Sequence, residues 1–227
     1  MICLLAVGSD GAVAEGQKYE ELRRRMVARQ IERRGVSDKG VLRAMRQVPR
    51  HEFVPSEARI NAYEDRPLEI GYGQTISQPY IVALMAERLS LKPSDRVLEV
   101  GTGSGYQAAV LSRLAAQVFS MDIVDELILR ATRDLQRLGY QNVRVRGGDG
   151  YEGWLEFAPF DAIIVAAALD HIPQPLIRQL REGGRLIIPV GNSHDQQLQL
   201  IEKHATGLRR RPICSVRFVP FTRKAVD

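Results

Sequence analysis

The chain is poor in the residues that build staples, metal sites and membrane spans. Its two cysteines, Cys3 and Cys214, stand at opposite ends of 227 residues with no Cys-x-x-Cys or Cys/His spacing around either. That excludes a disulfide framework and a zinc centre, and no metal is expected. No apolar run approaches the roughly 20 residues that cross a bilayer, so no membrane partner is expected. Excess charge is also scarce: 32 basic against 27 acidic residues leave +5, with the basic residues scattered among acids. Such a balance pulls weakly on anionic partners and keeps nucleic acid only as a rival. What remains is 44% hydrophobic and 26% charged, the make-up of a soluble domain that can bury roughly 70% of its unfolded surface without a staple.

Residues 1–18 read as an N-terminal extension. Ile2 to Val7 is apolar and Ala12-Val13-Ala14 before Glu15 resembles a small-residue cleavage site. No Lys or Arg precedes the run, however, and it is shorter than a usual signal core. A cytoplasmic location is therefore expected, with export through a short leader left open. Gly11 to Lys18 has the glycines of a phosphate loop, but Gln17 stands where that motif needs lysine and no strand precedes it.

Residues 19–92 read as helices and a loop belonging to the same domain as residues 93–227. Leu22, Met26, Ile31, Val41, Leu42 and Met45 fall near helical spacing, interrupted at Gly35 with Ser37 as the cap candidate, which predicts two helices. The arginines at 23–25 and 33–34 are read as solvated faces. Gly71-Tyr72-Gly73-Gln74-Thr75-Ile76-Ser77-Gln78-Pro79 reads as a polar turn feeding a helix from Tyr80 to Leu89.

From residue 93 the pattern alternates. Arg96–Val100, Val118–Asp122, Val143–Arg146, Ala162–Ala166 and Leu186–Val190 are short apolar runs. Gln107–Ala116, Glu126–Leu138 and Pro173–Leu180 are amphipathic intervals. That order predicts an α/β, doubly wound, mostly parallel sheet. A last pair, Gln197–Glu202 and Cys214–Phe221, is expected as antiparallel β with a basic turn between.

The sharpest local signal is Glu99-Val100-Gly101-Thr102-Gly103-Ser104-Gly105, a strand entering a glycine turn that opens a helix. Glycines there let a backbone approach a ligand closely. The spacing is Gly-x-Gly-x-Gly, because Tyr106 stands where a dinucleotide site has its third glycine. Asp122, 122 − 105 = 17 positions on, lies at the end of the next strand, near the roughly 20 expected of a ribose ligand. Gly148 and Asp149 follow the third strand and are assigned to the adenine edge; as plain turn residues they need no ligand. Glu99 either leans on a cationic ligand or anchors the turn.

This outline resembles S-adenosylmethionine-dependent class I methyltransferases with their Rossmann-like fold. Residues 48–222 more closely resemble the protein-L-isoaspartate O-methyltransferases. The likeness is carried by Val48-Pro49-Arg50, Thr75-Ile76-Ser77-Gln78-Pro79-Tyr80, Leu98 to Tyr106, Gly148-Asp149-Gly150, Pro159-Phe160-Asp161 and Val216-Arg217-Phe218-Val219-Pro220. The glycine turn is common to many methyltransferases; the Thr-Ile-Ser-Gln-Pro and Arg-Phe-Val-Pro segments are far more specific.

The resemblance implies a monomer that methylates the free α-carboxylate of L-isoaspartyl residues in damaged proteins and peptides, and so starts repair through a succinimide. It implies Ser77 as the active-site serine, Thr75, Ile76 and Val82 as further cofactor contacts, and Gln78, Val219, Pro220 and Thr222 as substrate contacts. Two departures stand out: Asp122 where relatives often carry Glu, and Ala168-Leu169-Asp170 in place of a proline-containing stretch.

A sulfonium methyl is electrophilic and a carboxylate is already an anion at neutral pH, so transfer needs alignment and desolvation more than a base. His51, His171, His194 and His204 fall outside every motif and are expected as surface or packing residues. Ser77, with no nucleophile elbow around it, is expected to orient the acceptor by a hydrogen bond. An RNA methyltransferase would share the crevice, but it must stack a target base, and Ile164 to Ala168 is small and apolar. A non-catalytic adenosyl-binding module is the other alternative.

Overall fold

The computed structural model describes the backbone of residues 9–223 and the side chains of residues 15–223. The leader-like stretch Ile2–Val7 lies outside them. The first helix, α1 (Ser9–Met26), starts well before Tyr19, where apolar periodicity begins. It therefore runs through Gly11–Lys18, the stretch with phosphate-loop glycines. It passes into a wide π turn at Val27–Ile31 and a 3-10 turn at Glu32–Arg34, and stops at Gly35 with φ 93°. Asp38, not Ser37, caps α2 (Lys39–Gln47): the Val41 N–H donates to Asp38 Oδ1 at 2.8 Å. The Ser37 and Asp38 N–H groups both donate to Glu87 on a neighbouring helix.

The polar turn before that helix is in fact a small hairpin, β1 (Leu68–Gly71) with β2 (Gln74–Ile76). It reverses through Tyr72 and Gly73, both at positive φ. Then comes α3 (Pro79–Leu89), with proline in its first turn, where a missing N–H costs nothing.

The core continues as β3 (Arg96–Val100), α4 (Tyr106–Ser112), β4 (Gln117–Asp122), α5 (Asp125–Arg137), β5 (Val143–Gly147), β6 (Phe160–Val165), α6 (Gln174–Gln179), β7 (Leu180–Gly191), β8 (Gln196–His204) and β9 (Gly207–Val216). The sheet order is β5-β4-β3-β6-β7-β8-β9, parallel from β5 to β7 and antiparallel thereafter. This is a mostly parallel α/β sheet. Its central strands β3, β4 and β6 are buried on both faces, so successive residues feed two cores, as the two-residue strand repeat requires. Val97, Val118 and Ile164 pack with α3, α4 and the N-terminal helices. Leu98, Phe119, Ile163 and Leu186 pack with Trp154, Phe160 and α6.

The β9 strand begins earlier than expected and takes in Arg209-Arg210-Arg211. It is an edge strand, where exposed charge suits the unpaired side. From β3 the chain winds outward to β4 and β5 and returns on the other side as β6, so the topological switch lies between β3 and β6. Crevices open at the carboxyl ends of such strands.

Candidate active site

A cavity of about 970 Å³ occupies that switch point. Its wall includes Gly101 to Ser104, after β3, and Asp122 with Ile123 and Val124, after β4. It also includes Thr75 to Gln78, from β2 and the turn into α3, and residues 214–222 from β9 and the C-terminal segment beyond it.

The glycine turn is held by backbone and by one acid. Gly101 and Thr102 donate N–H to the Met121 carbonyl at 2.8 and 3.0 Å, and Gly105 donates to the Thr102 carbonyl at 2.8 Å. Asp122 Oδ2 accepts the Gly103 N–H at 2.7 Å, while Oδ1 accepts those of Ile123 and Val124 at 2.8 and 3.1 Å. The carboxylate thus shapes both walls of the crevice, and Oδ2, which accepts a single bond, keeps acceptor capacity for a ligand hydroxyl. Gly101 is needed as glycine: at φ 97°, a Cβ would stand 3.2 Å from Ala166 Cβ. Gly105 also has positive φ, but its α-carbon faces Ala131 and Leu135 of α5. It is a packing glycine, and it does not line the cavity.

Glu99 is completely buried. Burial first, then the nearby Asp122 charge, push its carboxyl up to about 8, against the hydrogen bond from Ser120. Ser120 Oγ donates to Glu99 Oε2 at 2.5 Å and lies 2.6 Å from Thr102 Oγ1. Of the two roles open to it, the contacts show Glu99 as an anchor that ties β3 to β4 and, through Ser120, to the turn. It does not line the cavity.

Gly148 and Asp149, assigned by sequence to the adenine edge, adjoin the cavity lining without entering it. Gly148 donates its N–H to the Asp122 carbonyl at 2.9 Å. Asp149 Oδ1 accepts the Tyr151 N–H at 3.0 Å, and Oδ2 accepts Arg223 Nε at 2.9 Å. Gly150 is the member of this loop that lines the cavity. The pairing partner Arg223 lies 74 residues away, beyond the reach of any local pattern.

Thr75, Ile76, Ser77, Gln78 and Val82 all line the cavity, as do Val219, Pro220 and Thr222. Ile76 and Val82 are buried, and Gln78 turns its amide to the Asp65 carbonyl at 3.0 Å. Sequence reasoning missed Arg34, Tyr80, Gln107 and Arg217, which also line it. Arg34 stacks 3.5 Å from the Tyr80 ring centroid and pairs with Asp65 at 3.0 Å, which brings the N-terminal helices to the cavity. Gln107 sat in plain sight after the glycine turn, but glutamine in a helix carries no distinctive signal.

None of the described residues lining the cavity is a histidine. His51 stacks on Tyr19 at 3.9 Å and bonds Tyr63 at 2.7 Å, and His171 sits by Asp170 and Tyr151 outside the cavity.

The residues present fit an adenosyl cofactor. Gly101 to Ser104 present a glycine turn to the cavity, Asp122 Oδ2 offers an acceptor, and Gln107 lines the same space with a buried Oε1 that has no hydrogen-bond partner. That leaves hydrogen-bonding capacity for a ligand.

Comparison with known proteins agrees with this reading of the fold. Residues 21–226 match the family model described as protein-L-isoaspartate(D-aspartate) O-methyltransferase. The chain is 56% identical over 199 residues to a protein-L-isoaspartate O-methyltransferase of Picosynechococcus sp., covering 88% of this chain and 89% of the relative. A solved protein-L-isoaspartate O-methyltransferase superposes with a TM-score of 0.77 at 35% identity, over 87% of this chain; the match spans 65% of that longer chain. A Plasmodium falciparum structure named for the same activity, in complex with S-adenosyl-L-homocysteine, gives a TM-score of 0.78 at 28% identity over 89% of this chain and 99% of that one.

Proposed function

The chain belongs to the protein-L-isoaspartate(D-aspartate) O-methyltransferase family, and from that membership we propose how its residues divide the work. It is an S-adenosylmethionine-dependent enzyme that methylates isoaspartyl residues, and the nucleic-acid alternative is not favoured. The observation that carries the division is the lining itself: the glycine turn Gly101 to Ser104 and Asp122 share one cavity with Ser77, Arg217 and Val219 to Thr222.

In this reading Gly101 to Ser104 and Gln107 hold the methionyl part of the cofactor. Asp122 takes the ribose, and Ile123, Val124 and Gly150 flank the base. Thr75, Ile76 and Val82 close over it. When bound, S-adenosylmethionine supplies a methyl group made electrophilic by its sulfonium. The acceptor is the free α-carboxylate of an L-isoaspartyl residue, laid against Val219, Pro220 and Thr222.

Ser77 donates a hydrogen bond that orients this carboxylate, and Gln78 borders the same space. The positive field of Arg34 and Arg217 favours the acceptor's anionic form. No proton has to be removed, which accords with a lining free of histidine among the described residues. Ile76, Val82 and Val219 exclude water from the reacting carboxylate, which strengthens the electrostatics there. The methyl ester so formed closes without the enzyme to a succinimide as the neighbouring backbone amide nitrogen displaces methanol, and hydrolysis reopens the ring in part to normal aspartate; the role is therefore protein repair. We assign the enzyme to the cytoplasm and to a monomeric state, which sedimentation would check.

Transfer of a labelled methyl group tests this reading. An isoaspartyl peptide should be methylated, with its normal aspartyl twin and tRNA at background. Equal labelling of the twin, or labelling of tRNA alone, would overturn it.

A further inference from the structure

Beyond β9 the chain runs on as a strap, residues 217–223, beside the segment that follows β6, and residues 217–222 of it line the cavity. Its middle runs along Ala168. The Ala168 N–H donates to the Val219 carbonyl at 2.9 Å, and the Phe221 N–H donates to the Ala168 carbonyl at 2.9 Å. A proline at 168 would lack the first of these bonds, so the alanine found here gives the strap a rail.

Each end of the strap is fastened by a side chain. Gln196, buried at 5% exposure at the start of β8, pairs with Phe218 as one peptide group pairs with another. Its Oε1 accepts the Phe218 N–H at 2.7 Å and its Nε2 donates to the Phe218 carbonyl at 3.2 Å. The β8–β9 ladder ends at Gln196 opposite Val216, and the side chain extends it across the next two residues.

At the far end Arg223 bonds Asp149 through Nε and Glu152 through Nη2, and lies 3.9 Å over the Tyr151 ring. Those three residues belong to the loop that supplies Gly150 to the cavity floor. A Cβ on Gly150 would meet Val100 at 2.3 Å, with Phe221 of the strap 3.4 Å away. Strap, loop and β3 are therefore in contact through one glycine.

We propose that Gln196 and Arg223 are positioning residues, two clasps that bind the acceptor wall to the loop beneath the cofactor, so that filling the donor end tightens the acceptor end. This rests on the reading of the strap as the acceptor wall. Gln196 sets where Val219 and Pro220 lie. Arg223 passes the order that a donor imposes on the 148–152 loop to the strap, and by reciprocity an acceptor must tighten the donor equally.

The test is calorimetry of an isoaspartyl hexapeptide with and without saturating S-adenosylhomocysteine, together with steady-state kinetics. In the wild type the second ligand should tighten peptide binding roughly fivefold or more. Arg223→Gln should reduce that factor to below about twofold while its affinity for S-adenosylhomocysteine alone stays within about twofold. Gln196→Met should raise the peptide KM about tenfold, with kcat changed less than about threefold, and Gln196→Glu, which keeps one acceptor, should fall between.

Full coupling in Arg223→Gln, no coupling in the wild type, or an unchanged KM in Gln196→Met would overturn the proposal. Should Gln196→Met fail to fold, the exposed Arg223→Gln variant decides by itself. A wild-type chain that bound no S-adenosylhomocysteine, or that methylated the normal peptide equally, would instead overturn the underlying reading of the site.

Discussion

The carboxylate of Asp122 accepts the backbone N–H of Gly103 at 2.7 Å, so the acid at the end of β4 shapes the glycine turn at the end of β3 before a ligand arrives. Asp122→Ala therefore removes a ribose acceptor and loosens the turn together. S-adenosylhomocysteine should bind about 100-fold more weakly, the sum of two charge-assisted hydrogen bonds at the low end of their range. Asp122→Asn, which keeps one acceptor oxygen, should lose less. Titration calorimetry reads both, and normal binding by Asp122→Ala would remove the ribose assignment.

Ser77→Ala deletes an orienting hydroxyl and little volume. Turnover on an isoaspartyl peptide should fall roughly 10- to 100-fold, the equivalent of one hydrogen bond to a charged group. Cofactor affinity should stay within about twofold, since the proposed role of the hydroxyl is toward the acceptor. A loss of cofactor affinity matching the loss of turnover would place Ser77 with the donor instead.

The pH dependence of stability carries the signature of Glu99. Its folded carboxyl titrates at about 8 against an ordinary 4.5, so the folded state holds the proton more tightly. The stability this brings is whole below the unfolded value and is lost as pH rises through the folded one. Glu99→Gln has no such proton to lose. The gap in unfolding free energy should shift in the variant's favour by about 1 kcal/mol between pH 7 and pH 9. Urea denaturation across that range measures it, and a constant gap would mean that Glu99 is ionised throughout.

Gly101→Ala should fail for two separate reasons. The left-handed backbone costs a side chain about 1–2 kcal/mol, and the new methyl crowds Ala166 at 3.2 Å. A lower melting temperature and weaker S-adenosylhomocysteine binding are both expected. Gly35→Ala, with positive φ but open space around it, should lower stability alone.

Much of the core was legible because parallel strands buried on both faces are short apolar runs between turns. The runs at Arg96–Val100 and Val118–Asp122 match their strands to within a residue. The hairpin at Leu68–Ile76 was not legible: its strands are four and three residues long, too short for alternation to show. The arginines at 209–211 look like a turn because charge is the usual mark of one, and only their position on a sheet edge makes a strand of them.

The site divides along the same line. Glycine turn, Asp122 and Ser77 could be named because their residue types are forced by local geometry or carried by family motifs. Glu99 could not be decided until Ser120 was placed beside it. The pairing of Asp149 with Arg223 has no signal in the sequence, because the two residues are 74 positions apart. Gln196 had no signal at all, since a glutamine that imitates a peptide group looks like any other polar strand residue.

The most direct test is a crystal structure with S-adenosylhomocysteine and an isoaspartyl peptide bound together. The account predicts the ribose on Asp122, the thioether by the 101–104 turn, and the free α-carboxylate between Ser77 and the strap at Val219 and Pro220. A peptide whose carboxylate lay away from Ser77, or a ribose with no contact to Asp122, would contradict it.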